Sequence, residues 1–213
     1  MELDPASIPY EDRYKLLIGC IVPRPIAFVS TLSPDGRPNL APFSFFAGVG
    51  SNPMTLLFCP ASKADGTEKD SLRNAKSLEE GGTGEFVVNV AIEAYARQMA
   101  AAAEPLAYGD SEFGLSGLTP TPSRLVRPPR VLESPVSFEC RTMQVIRTNP
   151  GAPSSGNIVL GQVVHIHVAD AIVNERFHID QGYGAIGRMG GKWYCTTRDR
   201  FEMPMGRDAL KTR

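Results

Sequence analysis

The chain has 213 residues, a formal net charge of -1 and 42% hydrophobic residues, enough for one sizeable core. The near-neutral balance argues against a general nucleic-acid surface, which would show a basic excess. No apolar stretch approaches the roughly 20 residues of a transmembrane helix, and the start, Met1-Glu2-Leu3-Asp4-Pro5, lacks the basic and apolar regions of a signal peptide. The expectation is one domain over 1–213, cytoplasmic, without nucleic-acid or membrane partners.

Taken in order, Tyr10 to Gly19 reads as a short helix, with Tyr10, Tyr14, Leu17 and Ile18 sharing a face and Gly19 as its stop. A hairpin follows. Its first arm, Ile26 to Thr31, is rich in branched and aromatic residues. Ser33-Pro34-Asp35-Gly36 is a turn in which Pro34 presets φ and Gly36 takes the left-handed position. Both faces of that arm are apolar, Ile26 and Phe28 on one, Ala27 and Val29 on the other, so both should be covered. The covers are the core on one side and a helix, a second subunit or a ligand on the other.

The second arm carries Pro38 and Pro42, which lack backbone donors. Interrupted pairing between them would leave backbone groups from Asn39 to Ser44 facing something other than a strand. With Asn39, Ser44 and the flat Phe43, such a surface suits a planar heteroaromatic with polar edges. An irregular edge strand protected from aggregation by its prolines accounts for the same residues.

Met54 to Cys59 is the next strand, and Ala61 to Thr67 a polar loop. Lys69-Asp70-Ser71 opens a helix carrying Leu72, Ala75 and Leu78 and stopping at Gly81-Gly82. A helix start offers free N–H groups to an anion, with Lys69 adding a charge and Thr67 and Ser71 hydroxyls; an ordinary N-cap by Asp70 explains it equally well. Glu85 to Val90 is a strand, and Ile92, Ala96, Met99, Ala100 and Ala103 form one stripe of a helix, read as core or subunit contact. Pro105 to Pro129 is irregular, and its aromatics with Leu115 and Leu118 favour a packed excursion. Two long strands, Pro135 to Thr148 and Asn157 to Asp170, close the pattern.

Cys20, Cys59, Cys140 and Cys195 are far apart and form no C-x-x-C pair, so they read as reduced thiols. His165 and His167 share a strand face, but a metal site needs a third ligand and His178 has no spacing that brings it near, so no metal is expected. The letters Gly182-Tyr183-Gly184-Ala185-Ile186-Gly187 match G-x-G-x-x-G without the strand and helix that a nucleotide site requires.

The ordered set Tyr14 to Gly19, Pro23 to Thr31, Asn39 to Phe46, Lys69-Asp70-Ser71, Glu85 to Asn89, Asp110 to Phe113, Gly117-Leu118, Pro128 to Val131, Glu139-Cys140 and Gly187 to Gly191 resembles the flavin reductase-like family, FMN-binding split-barrel proteins, in its flavoredoxin branch. The resemblance implies a mainly β fold, an antiparallel Greek-key split β-barrel with peripheral α-helices. It implies an FMN-binding oxidoreductase that takes hydride from NADH or NADPH. The alternative it carries is a flavoredoxin-like electron carrier with tightly bound FMN; a barrel that has lost its flavin is a third reading, against which the retained blocks speak.

Carried onto this sequence, the cofactor-binding residues are Arg24, Ser30, Thr31, Asn39, Ala41, Pro42, Phe43, Ser44, Lys69, Asp70 and Ser71. Lys69 to Ser71 occupies the family's phosphate-contacting position, with serine where the family more often has threonine. His165 is the expected catalytic residue on the nicotinamide side, with His167 next, and Arg188 or Tyr194 is placed at the cofactor rim. The implied partners are flavin and nicotinamide nucleotides, a second copy in a homodimer, and a monooxygenase or redox partner protein. The doubly apolar first arm and the Ala-Met stripe are the expected two-fold surface.

Overall fold

The computed structural model describes residues 1–211. The chain forms helix α1 (Tyr10–Cys20), then β1 (Arg24–Pro25), β2 (Ala27–Leu32), β3 (Pro38–Phe43), β4 (Phe46–Ser51) and β5 (Met54–Phe58). After α2 (Asp70–Ala75) come β6 (Glu85–Val90), α3 (Ala96–Ala101), α4 (Glu112–Ser116), β7 (Pro120–Thr121), β8 (Arg130–Val131), β9 (Val136–Arg147), β10 (Asn157–Val168), β11 (Ile186–Arg188) and β12 (Tyr194–Thr196). Seven strands make an antiparallel sheet in the order β3-β2-β6-β9-β10-β5-β4, so the fold is mainly β with few helices, as expected. Its two edge strands, β3 and β4, are consecutive in the chain and joined by Ser44 and Phe45. Among the described residues no helix is long and apolar enough to cross a membrane.

The hairpin forms as read. Gly36 has φ of +89° in the turn, where only glycine is unstrained. The second arm corrects the expectation of broken pairing: β3 pairs with β2 at every position from Leu32↔Pro38 to Ala27↔Phe43. The prolines are tolerated because β3 is an edge. Pro38, Leu40 and Pro42 share one parity, so their nitrogens point away from β2, and only Leu40 has an N–H on that side. Glu112 on α4 takes that N–H at 2.8 Å, plugging the one free donor of the edge.

Both faces of β2 are covered within the chain. Ala27 and Val29 face a cluster with Phe43, Leu56, Phe58, Leu72, Phe86 and Val159. Ile26 and Phe28 face another with Leu40, Tyr95, Met99, Phe113, Leu118 and Val131. The cover left open by the sequence is therefore α3, α4 and their connections. This removes β2 and Met99 as the surplus surface for a two-fold contact; Ala100 and Ala103 of the stripe are exposed, and Met99 is core. Exposed apolar surface lies instead on α1, which buries no residue, with Tyr10, Tyr14, Leu16 and Leu17 at 43% exposure or more.

The helix opened at Lys69 is shorter than expected. α2 stops at Ala75, and Ser77 to Gly82 form a turn closed by Gly82 N–H to the Ser77 carbonyl at 2.9 Å, leaving Leu78 exposed. The excursion after Pro105 packs through Phe113, Leu118 and Val126, whereas Leu115 is half exposed.

Candidate functional site

Residues directly opposite in an antiparallel sheet share a face, and neighbours along a strand alternate. That rule divides the candidate residues. Thr31, Asn39, Ala41 and Phe43 share the face of β2 and β3 that α2 covers. Ser30 shares the other face, in one row with Val87, Glu139 and His165.

On the α2 side a polar cluster ties the hairpin to the helix. Asn39 Nδ2 donates to Thr31 Oγ1 and to Ser71 Oγ, both at 3.1 Å, and Asn74 Nδ2 donates to Thr31 Oγ1 at 3.1 Å. All four residues are buried. Asn74 Oδ1 is buried without a partner among the described residues, and Asn74 borders a recess of about 10 Å³ with Ser33, Arg37, Asn39, Asp70 and Tyr108. That is roughly the space of one water, which would satisfy the orphan acceptor.

The N-cap of α2 is Lys69 and no side chain caps the helix, so Asp70 is its first residue and not its cap. Asp70 pairs with Lys63 at 3.4 Å. The Lys69 ammonium lies 5.8 Å from the centroid of the Phe43 ring and makes no ion pair among the described residues. Lys69 is exposed as a residue, yet its ammonium is partly desolvated. That desolvation, followed by repulsion from Lys63, holds it below the usual lysine range. Thr67 is turned away, its N–H and hydroxyl both given to Asp65 Oδ1.

The remaining candidates have structural partners. Arg24 is 3% exposed; Nη1 donates to the carbonyls of Ile18 and Ile21, Nη2 to that of Met189 and Nε to Ser44 Oγ. It ties the end of α1 to the Met189 turn and the corner after β3, and burial lowers its pKa. Ser30 is fully buried and donates to the Pro129 carbonyl. Pro42 and Ser44 are half-buried beside Phe43. Arg188 lies 4.4 Å over the Tyr194 ring and closes its own turn through Gly191. His165 and His167 stand on the opposite face from Phe43, with β9, β6 and β2 between. The structure therefore brings together Thr31, Asn39, Ala41, Phe43, Lys69, Asp70 and Ser71, and leaves Ser30, Arg24 and His165 elsewhere.

Sequence reading passed over Asn74, the second donor to Thr31; its place three residues after Ser71 on α2 was the available signal. It also passed over Asn89. Asn89 Oδ1 accepts from Val131 N–H and Ser137 Oγ at 2.9 Å each, and its Nδ2 donates to the Phe28 carbonyl. The four cysteines are free, and burial pushes the Cys140 thiol up. A cavity of about 160 Å³ lined by Glu93, Gln181, Thr196, Arg198 and Arg200, among others, contains none of the candidates.

The model of the flavin reductase like domain matches residues 18–187. An uncharacterised protein of Aquifex aeolicus is 38% identical over 182 residues, covering 85% of this chain and 88% of that protein. The crystal structure of nitrilotriacetate monooxygenase component B from Bacillus cereus aligns with a TM-score of 0.88 at 33% identity, over 95% of this chain and 98% of that one. Flavoredoxin of Desulfovibrio vulgaris (Miyazaki F) aligns at 0.67 and 20% identity, over 88% and 94%, a likeness of fold. Identity is thus higher with the monooxygenase component than with this flavoredoxin. The chain belongs to the flavin reductase-like family, with its split-barrel fold.

Proposed function

We propose that the protein binds FMN between β3 and the start of α2 and is an NAD(P)H-dependent flavin reductase. The observation that carries this reading is Lys69. Its ammonium has no carboxylate partner among the described residues, is partly desolvated and stands at the uncapped start of α2, beside the Phe43 ring. A phosphate there would supply the missing counter-charge and accept from the free N–H groups of Asp70 and Ser71. The Ser71 hydroxyl accepts from Asn39 and keeps its own proton to give. These features fit the phosphate end of the cofactor.

When bound, FMN supplies the redox chemistry by accepting hydride from reduced nicotinamide. The chain's share is holding and shaping: Lys69, Asp70 and Ser71 position the phosphate, and Asn39 fixes the Ser71 hydroxyl. Ala41 and Phe43 present an apolar flank. Arg24 acts through Ser44 and α1 as a positioning residue, keeping the corner beyond Phe43 in place. His165 has no part in this reading, because its face is the other one.

The Bacillus cereus neighbour is component B of a nitrilotriacetate monooxygenase. By that likeness, reduced flavin made here would serve a partner monooxygenase. A homodimer would use α1, whose Tyr10, Tyr14 and Leu17 lack a cover in their own chain. A monomeric mass by light scattering at micromolar concentration would remove that contact.

The test is the visible spectrum of the FMN-loaded protein before and after anaerobic NADH and NADPH. Bleaching of the flavin band is expected with at least one of them. A loaded protein that neither reduces would overturn the hydride-transfer reading and leave electron exchange with a protein partner.

A further inference from the structure

The face of β9 and β10 turned away from α2 carries a group of side chains that flavin binding leaves unused. Glu139, with no exposed surface, lies on β9. Its Oε1 accepts the Arg124 N–H at 2.7 Å, and its Oε2 accepts those of Leu125 at 2.6 Å and Val126 at 3.2 Å. No lysine or arginine pairs with it among the described residues; its side-chain partner is His167, with Nε2 2.5 Å from Oε1. His165 meets His167 edge-on, their ring centroids 4.6 Å apart at 75°. One ligand atom from each of the three residues lies within 4.8 Å of the others.

The backbone arranges this meeting. β10 opposes Val163 to Cys140 and then His165 to Glu139, so Val164 is an extra residue, a β-bulge. Without it Val164 would oppose Glu139, and His165 would oppose Phe138 on the opposite face. Bulges of this kind re-aim side chains. β5 pairs with β10 only as far as Gln162, so the far edge of β10 is not covered by β5 at the histidines. Both imidazoles are partly exposed while the carboxylate is buried, which leaves an open mouth over a buried negative charge.

Two imidazole nitrogens and a carboxylate oxygen, with further positions open to water, are a donor set suited to zinc and similar divalent ions. The three backbone donors already hold the carboxylate in orientation, as the hydrogen-bond partners of metal ligands commonly do. The sequence lacked a third ligand; the sheet register supplies Glu139.

We propose that Glu139, His165 and His167 form a site for a divalent transition-metal ion such as zinc, with water completing its shell. The ion takes the place of the proton between His167 Nε2 and Glu139 Oε1, the imidazole keeping its proton on Nδ1. Because Glu139 also holds the backbone of 124–126, the ion fastens that segment to the end of β10. The site lies on the opposite sheet face from Lys69 and stands independently of the flavin reading.

The test is calorimetric titration of tag-free, chelator-stripped protein with zinc chloride, paired with the visible spectrum after cobalt chloride. One ion per chain with micromolar affinity or better is expected, with a rise in Tm. His165→Ala should weaken binding at least tenfold to a hundredfold, the loss typical even for removing a residue that only hydrogen-bonds a metal ligand. It should also abolish the cobalt bands and the Tm rise. His178→Ala, at the remaining histidine, should change nothing. Far-UV circular dichroism checks each variant's fold, and His165 decides the matter because Glu139 holds 124–126 without it. No stoichiometric binding at sub-millimolar zinc, or binding unmoved by His165→Ala, overturns the proposal.

Discussion

Ser30 and Thr31 are neighbours in β2, both fully buried, yet they belong to different chemistry. Thr31 joins Asn39, Ser71 and Asn74 beneath the start of α2, while Ser30 joins Asn89 and the segment that ends at Pro129. The two clusters also use charge differently. At α2, Lys69 makes no ion pair among the described residues, as suits the proposed phosphate site. Across the sheet, carboxylates are spent on backbone: Glu139 holds the N–H groups of Arg124, Leu125 and Val126, and Glu85 holds that of Arg127 at 3.1 Å. A one-residue step along a strand thus separates the proposed phosphate site from a surface that fastens the chain.

The largest effect should come from breaking the fastening side. Glu139→Ala strands three N–H groups and His167 together, and each buried donor left unpaired costs about 1 to 3 kcal/mol. Urea unfolding is the measurement; a loss under about 1 kcal/mol, the size of one ordinary hydrogen bond, would mean that the segment is held by its apolar contacts alone.

On the recognition side, Lys69→Ala should lower FMN affinity by about 1.5 to 3 kcal/mol, roughly tenfold to a hundredfold, the range for a bond to a charged group. Riboflavin, which has no phosphate, should bind wild type and variant alike in the same fluorescence titration. Equal weakening of both ligands would assign Lys69 to the fold.

The smallest effect separates two buried carboxylates by pH. Burial raises the Glu112 pKa, against the Leu40 N–H, with Asp70 adding to the rise. Its folded form holds the proton more tightly than its unfolded form, so its contribution is greatest in acid and is lost as pH rises through the folded value. Glu112→Gln keeps an acceptor for Leu40 and should raise stability at neutral pH by up to about 1 kcal/mol, a gain that fades in acid. Glu139 behaves oppositely. Burial alone would raise its pKa, but the Arg124 N–H, His167 and the Leu125 N–H outweigh it and hold the carboxyl below its ordinary value. Its contribution is present above the unfolded carboxyl pKa and is lost as pH falls through the folded one. Denaturation midpoints from mild acid to neutrality should therefore tilt one way for Glu112→Gln and the other for Glu139→Gln. Parallel profiles would refute the distinction.

Local chemistry made much of this legible from residue order. The Pro34-Asp35-Gly36 turn, the period-two runs of β2, β6, β9 and β10 and the apolar faces of β2 follow from steric and burial rules acting within a few residues. The Lys69 block, marked by the family resemblance, falls where the structure gathers Asn39, Phe43 and Ser71. What residue order left open was decided by partners distant in sequence. The pairing of β3 depended on its being an edge, which exists only once the sheet is assembled, and its free donor is met by Glu112, 72 residues away. The end of α2 at Ala75 depends on the turn through Gly82, and the uncovered face of α1 on what the rest of the chain buries. Side-chain parity told that His165 and His167 share a face, but it could not say whose. One bulge residue, Val164, sets them against Glu139 instead of the inner cluster, because register between strands is fixed by the packing of the whole sheet and not by either strand alone.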